Sequence, residues 1–256
     1  MGLLGTASTL GMAGGPALGG WLSSSFTTES MFFCSSAYAI LSSLIVLSIR
    51  ETVTDKHAIS LRLLAVHKKD LFEPRVLVPC IVMALSAYAY GSLFTVMPDF
   101  GAYFKIENKG LLFTYFTVAS LIIRLVAGKA SDKYGRANVL RISTFFMAVS
   151  MFWISMADTK TMLIIGAFMY GLAQGATSPA LLAWATDLSD PEHKGRGVAS
   201  LYIFMEFGIG VGALLSGWMY ANDDSNFFIA FATSSALSAV AFIYLLSRPR
   251  VPVPIR

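Results

Sequence analysis

Eight apolar runs of about 20 residues, at roughly 3–23, 30–49, 76–98, 110–129, 138–157, 161–187, 197–220 and 226–247, constrain this chain more than any other feature. As a helix, each is long enough to cross a hydrocarbon core of about 30 Å. In such a core every backbone polar group must be satisfied internally, which helices do. Charged residues are only 13% of the 256 and gather in the stretches between the runs, whereas ordinary soluble domains carry about a quarter. The pattern predicts an all-α, polytopic membrane protein with eight transmembrane helices.

The basic residues orient it. Fifteen Lys and Arg fall on one side, in the stretch 50–75, in Lys129–Arg141, at Lys194 and Arg196 and in the tail. Three fall on the other: Lys105, Lys109 and Lys160. The positive-inside rule makes the richer side, with both ends of the chain, cytoplasmic. An integral multi-pass protein of the cell (plasma or inner) membrane is expected. The net charge of +4 is accounted for by this placement and calls for no nucleic-acid partner. The stretch 50–75 reads as a cytoplasmic linker, with an amphipathic helix around Ile59–Val66 lying at the membrane surface. Cys34 and Cys80 lie within apolar runs as core residues, and His57, His67 and His193 lie in polar loops. No metal cluster, paired carboxylates or nucleophile–base set stands in the spans, so no enzyme is expected.

The chain also echoes itself. LGMAGGPALGGWL at 10–22 and FGIGVGALLSGWM at 207–219 align without a gap, matching Gly11 with Gly208, Gly15 with Gly212, Gly20 with Gly217 and Trp21 with Trp218. Duplicated halves are common in secondary transporters. If spans one and two repeat spans seven and eight, then residues 1–49 are the last two helices of an N-terminal bundle and 76–256 are a complete six-helix C-terminal bundle. The expectation is a twelve-helix fold truncated by four helices at its N-terminal side.

Three stretches resemble the major facilitator superfamily, in its twelve-helix drug/proton antiporter-like branch. Gly2, Gly11 and Gly15-Pro16-Ala-Leu-Gly19-Gly20 are similar to the antiporter signature of that family's fifth helix. Gly128-Lys-Ala-Ser-Asp132-Lys-Tyr-Gly135-Arg136 is similar to its loop signature between helices eight and nine. Asp187 to Gly197 resembles its entry to helix eleven. The resemblance covers the chain as helices five to twelve and implies a major facilitator-type bundle with a gating loop at Gly128, Asp132, Gly135, Arg136 and Asp187. It also implies a glycine stripe, Gly11, Gly15, Pro16, Gly19 and Gly20, at the interface of two halves, favouring export.

Physical reasoning runs beside it. Glycines at four-residue spacing let another backbone approach closely, which is equally plain helix packing. Gly128 and Gly135 suit tight turns at the ends of two antiparallel helices, and Asp132 can pair with Arg136 in a charged clasp or simply anchor a hairpin. Ionisable residues within spans are functional candidates because desolvating them is costly. Glu206, about 13 Å deep and followed on one face by Gly210, Ala213 and Gly217, is a buried acid that either carries a proton or stitches helices together. Arg124, a turn before Gly128, either snorkels to the membrane edge or pairs with Glu206 or an anionic substrate. Asp99 after Pro98 is a helix-end cap or a gate residue. Gln174 can hydrogen-bond a substrate or a helix, and Tyr88, Tyr90 and Tyr170 line a cavity or pack.

The leading expectation is a secondary transporter that exports small amphipathic molecules in exchange for protons, by alternating access. It needs no cofactor beyond the proton gradient. Its partners are substrate, protons, the lipid bilayer and a further N-terminal four-helix segment. A proton symporter for a nutrient such as a sugar or organic ion, and an inert or partner-dependent fragment, are the alternatives.

Overall fold

The computed structural model describes Gly11 and residues 14–16, 18–23, 25–48 and 72–247. The amphipathic segment around Ile59–Val66, the histidines His57 and His67 and the basic tail lie outside the described residues. The helical residues between 11 and 25 precede seven helices: α1 (Thr28–Leu47), α2 (Leu77–Tyr103), α3 (Gly110–Tyr134), α4 (Arg136–Ser155), α5 (Lys160–Leu188), α6 (Lys194–Tyr220) and α7 (Phe227–Leu246). Among the described residues the architecture is all-α, as expected of the sequence. By length and composition α1, α2, α3, α4, α6 and α7 can each cross a membrane. The 29-residue α5 is diluted by Gln174, Thr177, Ser178 and Pro179, and it lies packed against α3 and α4.

Helices α2–α7 form one bundle in which α2 lies along α6, α3 along α5, and α4 between α5 and α7. Glycines set two of these approaches. A Cβ on Gly212 would stand 2.9 Å from the Cα and carbonyl carbon of Tyr88, and one on Gly208 would overlap the carbonyl of Ala84, so α6 lies directly on α2. Gly91 on α2 meets the backbone of Ile209 in return. Gly171 and Gly175 similarly bring α5 against Phe116 and Ser120 of α3. Close backbone contact supplies packing that apolar area cannot, because lipid tails are as apolar as leucine.

Hydroxyls add to it. Thr177 donates to Ser143 across α5 and α4 at 2.8 Å, and Ser235 donates to the Ala148 carbonyl across α7 and α4 at 2.8 Å. One core, including Leu112, Met147, Met151, Tyr170 and Phe231, fills the end away from the basic loops. Another, including Val76, Leu140, Leu181, Trp184 and Leu245, fills the basic end. Outward positions such as Leu125, Leu214 and Trp218 remain exposed and apolar.

Two helices run further than the apolar runs suggest. α2 passes through Pro98 to Tyr103, so Asp99 sits inside the helix rather than capping its end. α3 continues through Lys129, Asp132 and Lys133 to Tyr134. Polarity ends a membrane-spanning run but not a helix; the stop is Gly135, at φ 89° and ψ 144°, a conformation strained for any residue with a Cβ.

Candidate functional site

Two clusters occupy the basic end of the bundle. In the first, the one-residue turn at Gly135 launches Arg136 back across the end of α3. Its Nε donates to Asp187 Oδ2 at 3.0 Å, and its Nη1 donates to Ser131 Oγ at 3.1 Å and pairs with Asp132. One guanidinium thus ties the last turn of α3, the start of α4 and the end of α5, bringing together Asp132, Gly135, Arg136 and Asp187. Gly128 is not part of it. It lies within α3, exposed, with open space where a Cβ would be, so its expected role in a turn is corrected.

The second cluster was not singled out in the sequence. Glu73, buried, pairs with Arg196 Nη2 at 3.3 Å and lies 4.0 Å from Arg75 Nε. Arg75 Nη1 reaches Asp190 Oδ2 at 3.1 Å, and the Glu73 amide donates to Ser200 Oγ at 2.9 Å. These contacts join the approach to α2 with the α5–α6 turn and the start of α6. Gly197 is required there, since a Cβ would overlap Ser189 Oγ. The Asp190 carboxyl is held below the usual aspartate range, first by the Glu192 amide and then by Arg75 and His193. The available signal was a Glu-Pro-Arg triplet directly before an apolar run; nothing in the triplet names partners more than a hundred residues away.

Midway along the bundle lies a third group. Tyr90 is 13 residues from either end of α2, Arg124 is 14 and 10 from the ends of α3, and Glu206 is 12 and 14 from those of α6. All three stand in the middle stretch of their helices, and Tyr90 lies within electrostatic reach of both Arg124 and Glu206. Arg124 lies ten residues before the end of α3, one turn before Gly128, where the apolar run gives way to Lys129 and Asp132. Glu206 is exposed, on the side of α6 turned away from Gly208, Gly212 and Ser216. Its expected burial is corrected: those three small residues take the packing face, while a Cβ on Gly210 would meet nothing within 4 Å.

Aromatic rings continue the wall beside it. Tyr90 and Phe94 lie 4.4 Å apart, Phe94 stacks on Phe113 at 4.6 Å, and Tyr90 approaches Phe116 edge-on at 6.0 Å. Tyr170 stacks behind Phe116 and is fully buried, so it is core rather than lining; Tyr88 is buried too. The Tyr170 hydroxyl and Gln174 Oε1 are buried without a hydrogen-bond partner among the described residues, although such a group costs about 1–3 kcal/mol. Asp99 is half-buried within electrostatic reach of Tyr220, apart from this group.

The N-terminal glycines divide. Gly20 faces the Asn108 side chain and the Pro16 carbonyl faces Gly110 at the start of α3, each so close that a Cβ on the glycine would overlap. Gly19 touches only Met31, and Gly11 and Gly15 meet nothing among the described residues. Among the described residues the close approach to α3 is made at Pro16 and Gly20.

Comparison with known proteins follows the same lines. The family model described as Major Facilitator Superfamily matches residues 80–255. The class H tetracycline resistance protein of Pasteurella multocida is 25% identical over 147 residues, 56% of this chain and 36% of that protein. Multidrug resistance protein 1 of Bacillus subtilis is 23% identical over 140 residues, 55% of this chain and 36% of that protein. The chain spans 32–44% of the length of three curated relatives that it matches. Among solved structures, the human organic anion transporter MFSD10 superposes with a TM-score of 0.56 at 18% identity, over 75% of this chain and 43% of that one, a likeness of fold.

Proposed function

The chain belongs to the Major Facilitator Superfamily, and from that premise we propose that its α2–α7 bundle is the C-terminal half of a proton-coupled exporter of small amphipathic molecules. Residues up to 49 belong to the opposing bundle, 50–75 link the two, and the arginine-rich end faces the cytoplasm. The observation that carries the reading is that Arg124 and Glu206, both within apolar runs, lie within electrostatic reach of Tyr90 beside an aromatic wall. Charged groups within membrane spans are costly, and those retained there mark substrate or ion pathways.

In this reading the partly exposed rings of Tyr90 and Phe94 receive the apolar part of the substrate. Glu206 faces the opposing bundle, where it takes a proton in one orientation and yields it in the other. Arg124 discourages simultaneous occupation by a proton and a cationic substrate, since a cation is admitted only when the Glu206 carboxylate is free to balance it. The Asp132–Arg136–Asp187 clasp stabilises one orientation of the bundle and releases in the other. The efflux proteins among the relatives support export.

The test uses the full protein in inverted membrane vesicles, with ethidium as probe. An imposed proton gradient drives ethidium uptake into these vesicles, and Glu206→Gln abolishes that coupling while ethidium still binds. Gradient-driven uptake by Glu206→Gln at the rate of the parent protein would overturn the assignment.

A further inference from the structure

At the end of the bundle opposite the arginine clusters, the end of α2, the α4–α5 turn and the start of α7 enclose a cavity of about 260 Å3. Its floor is aromatic. Phe100 and Phe227 are 3% and 4% exposed and stack with centroids 4.2 Å apart and planes 17° from parallel. Tyr103, 55% exposed, stands T-wise to Phe227 at 5.8 Å, and Phe228, 49% exposed, closes another side. Ring surface thus stays accessible above a buried stack. Two exposed carboxylates, Asp158 and Asp224, complete the lining, and neither forms an ion pair among the described residues.

Carboxylates gather around the stack. Tyr220, stacked on Phe227 at 4.8 Å, lies within electrostatic reach of Asp99, Asp223 and Asp224. Lys105 and Lys160 stand next in the chain, but neither pairs with these acids within 4 Å. Aromatic faces and carboxylates together attract a weakly hydrated cation, for which losing water is cheap. A hard metal ion needs several converging oxygens, and the described residues hold no group of three or more His, Cys, Asp or Glu arranged for one.

We infer that this cavity binds an organic ammonium group. It is separate from the site at Tyr90, Arg124 and Glu206 and does not rest on the transport reading. Two sources offer that chemistry, a free organic cation and the choline headgroup of a phospholipid, and the experiment separates them.

Full protein is placed in nanodiscs of phosphatidylglycerol and, separately, of phosphatidylcholine, and titrated with tetraethylammonium by calorimetry. Saturable binding is expected in phosphatidylglycerol, weakened at least tenfold by Asp158→Asn with Asp224→Asn and at least threefold by Tyr103→Leu. The pair Asp158→Glu with Asp224→Glu retains binding and controls for folding. Equal binding in phosphatidylcholine identifies a free-cation site, and loss of it there identifies the lipid headgroup as occupant. Absence of saturable binding in phosphatidylglycerol, or unchanged affinity in the double Asn variant, overturns the proposal.

Discussion

Replacing Gly212 with Ala tests how α6 is seated. The added methyl would lie 2.9 Å from the Cα and carbonyl carbon of Tyr88 and closer still to its oxygen. The obstacle is backbone, which has no rotamer to retreat into, so α6 must back away from α2 by some tenths of an ångström or more along their shared length. Overpacking of this kind costs about 1–3 kcal/mol, roughly a 5- to 150-fold shift in the folding equilibrium. Gly210→Ala is the control two residues away. Its methyl meets nothing within 4 Å, and alanine is the better helix former by up to about 1 kcal/mol. The assay is the midpoint of SDS-induced unfolding of the full protein in detergent micelles, followed by tryptophan fluorescence. Gly212→Ala is expected to unfold at lower SDS than the parent, and Gly210→Ala at the same or higher. Equal loss in the two variants, or none in Gly212→Ala, would refute the assignment of the Gly208–Gly212 face to α2.

Two further outcomes follow from the basic end. A double-mutant cycle on Arg136→Ala and Asp187→Ala should yield a coupling of about 0.5–1 kcal/mol in the same unfolding assay, because the pair is bonded at 3.0 Å but the Asp187 side chain is 49% exposed; additive single effects would remove the clasp. Because the Asp190 carboxyl is held below its ordinary range in the folded chain by the Glu192 amide, Arg75 and His193, it stabilises the fold fully above the unfolded value of about 3.9 and loses that contribution as pH falls through its lower folded value. Asp190→Asn should therefore be less stable than the parent at neutral pH, and the gap should close in acid; a gap that widened on acidification would reverse the sign of this reasoning.

Much of the fold is legible in the order of residues. The apolar runs announce helices because a bilayer leaves the backbone no other way to satisfy itself. The loop signature likewise anticipates that Asp132, Arg136 and Asp187 come together, since they sit at helix ends that short connections force into one layer. The limits of the helices are less legible. Lys129, Asp132 and Lys133 look like loop because they leave the apolar run, yet a helix continues through them until the backbone at Gly135 turns to positive φ. Pro98 looks like an end for a similar reason, and α2 passes through it.

Which side of a helix faces which neighbour was decided only by the tertiary structure. On α6 the sequence offers two sets of small residues, Gly208, Gly212 and Ser216 or Gly210, Ala213 and Gly217, and either can seat a partner. In water the choice is settled by polarity, since the solvent face must be polar. A helix in lipid is apolar on its core side and on its outer side alike, so that signal vanishes and only backbone fit against Ala84 and Tyr88 selects the face. That selection turns Glu206 outward, within electrostatic reach of Tyr90, while the seating of α5 on α3 buries Tyr170. The Glu73–Arg196 contact is of the same kind, joining residues more than a hundred positions apart. Sequence alone established that the chain is helical and apolar enough to cross a membrane and which end is basic, because these depend on composition along the chain. The site depends on rotation of each helix about its axis, which is set by contact between helices.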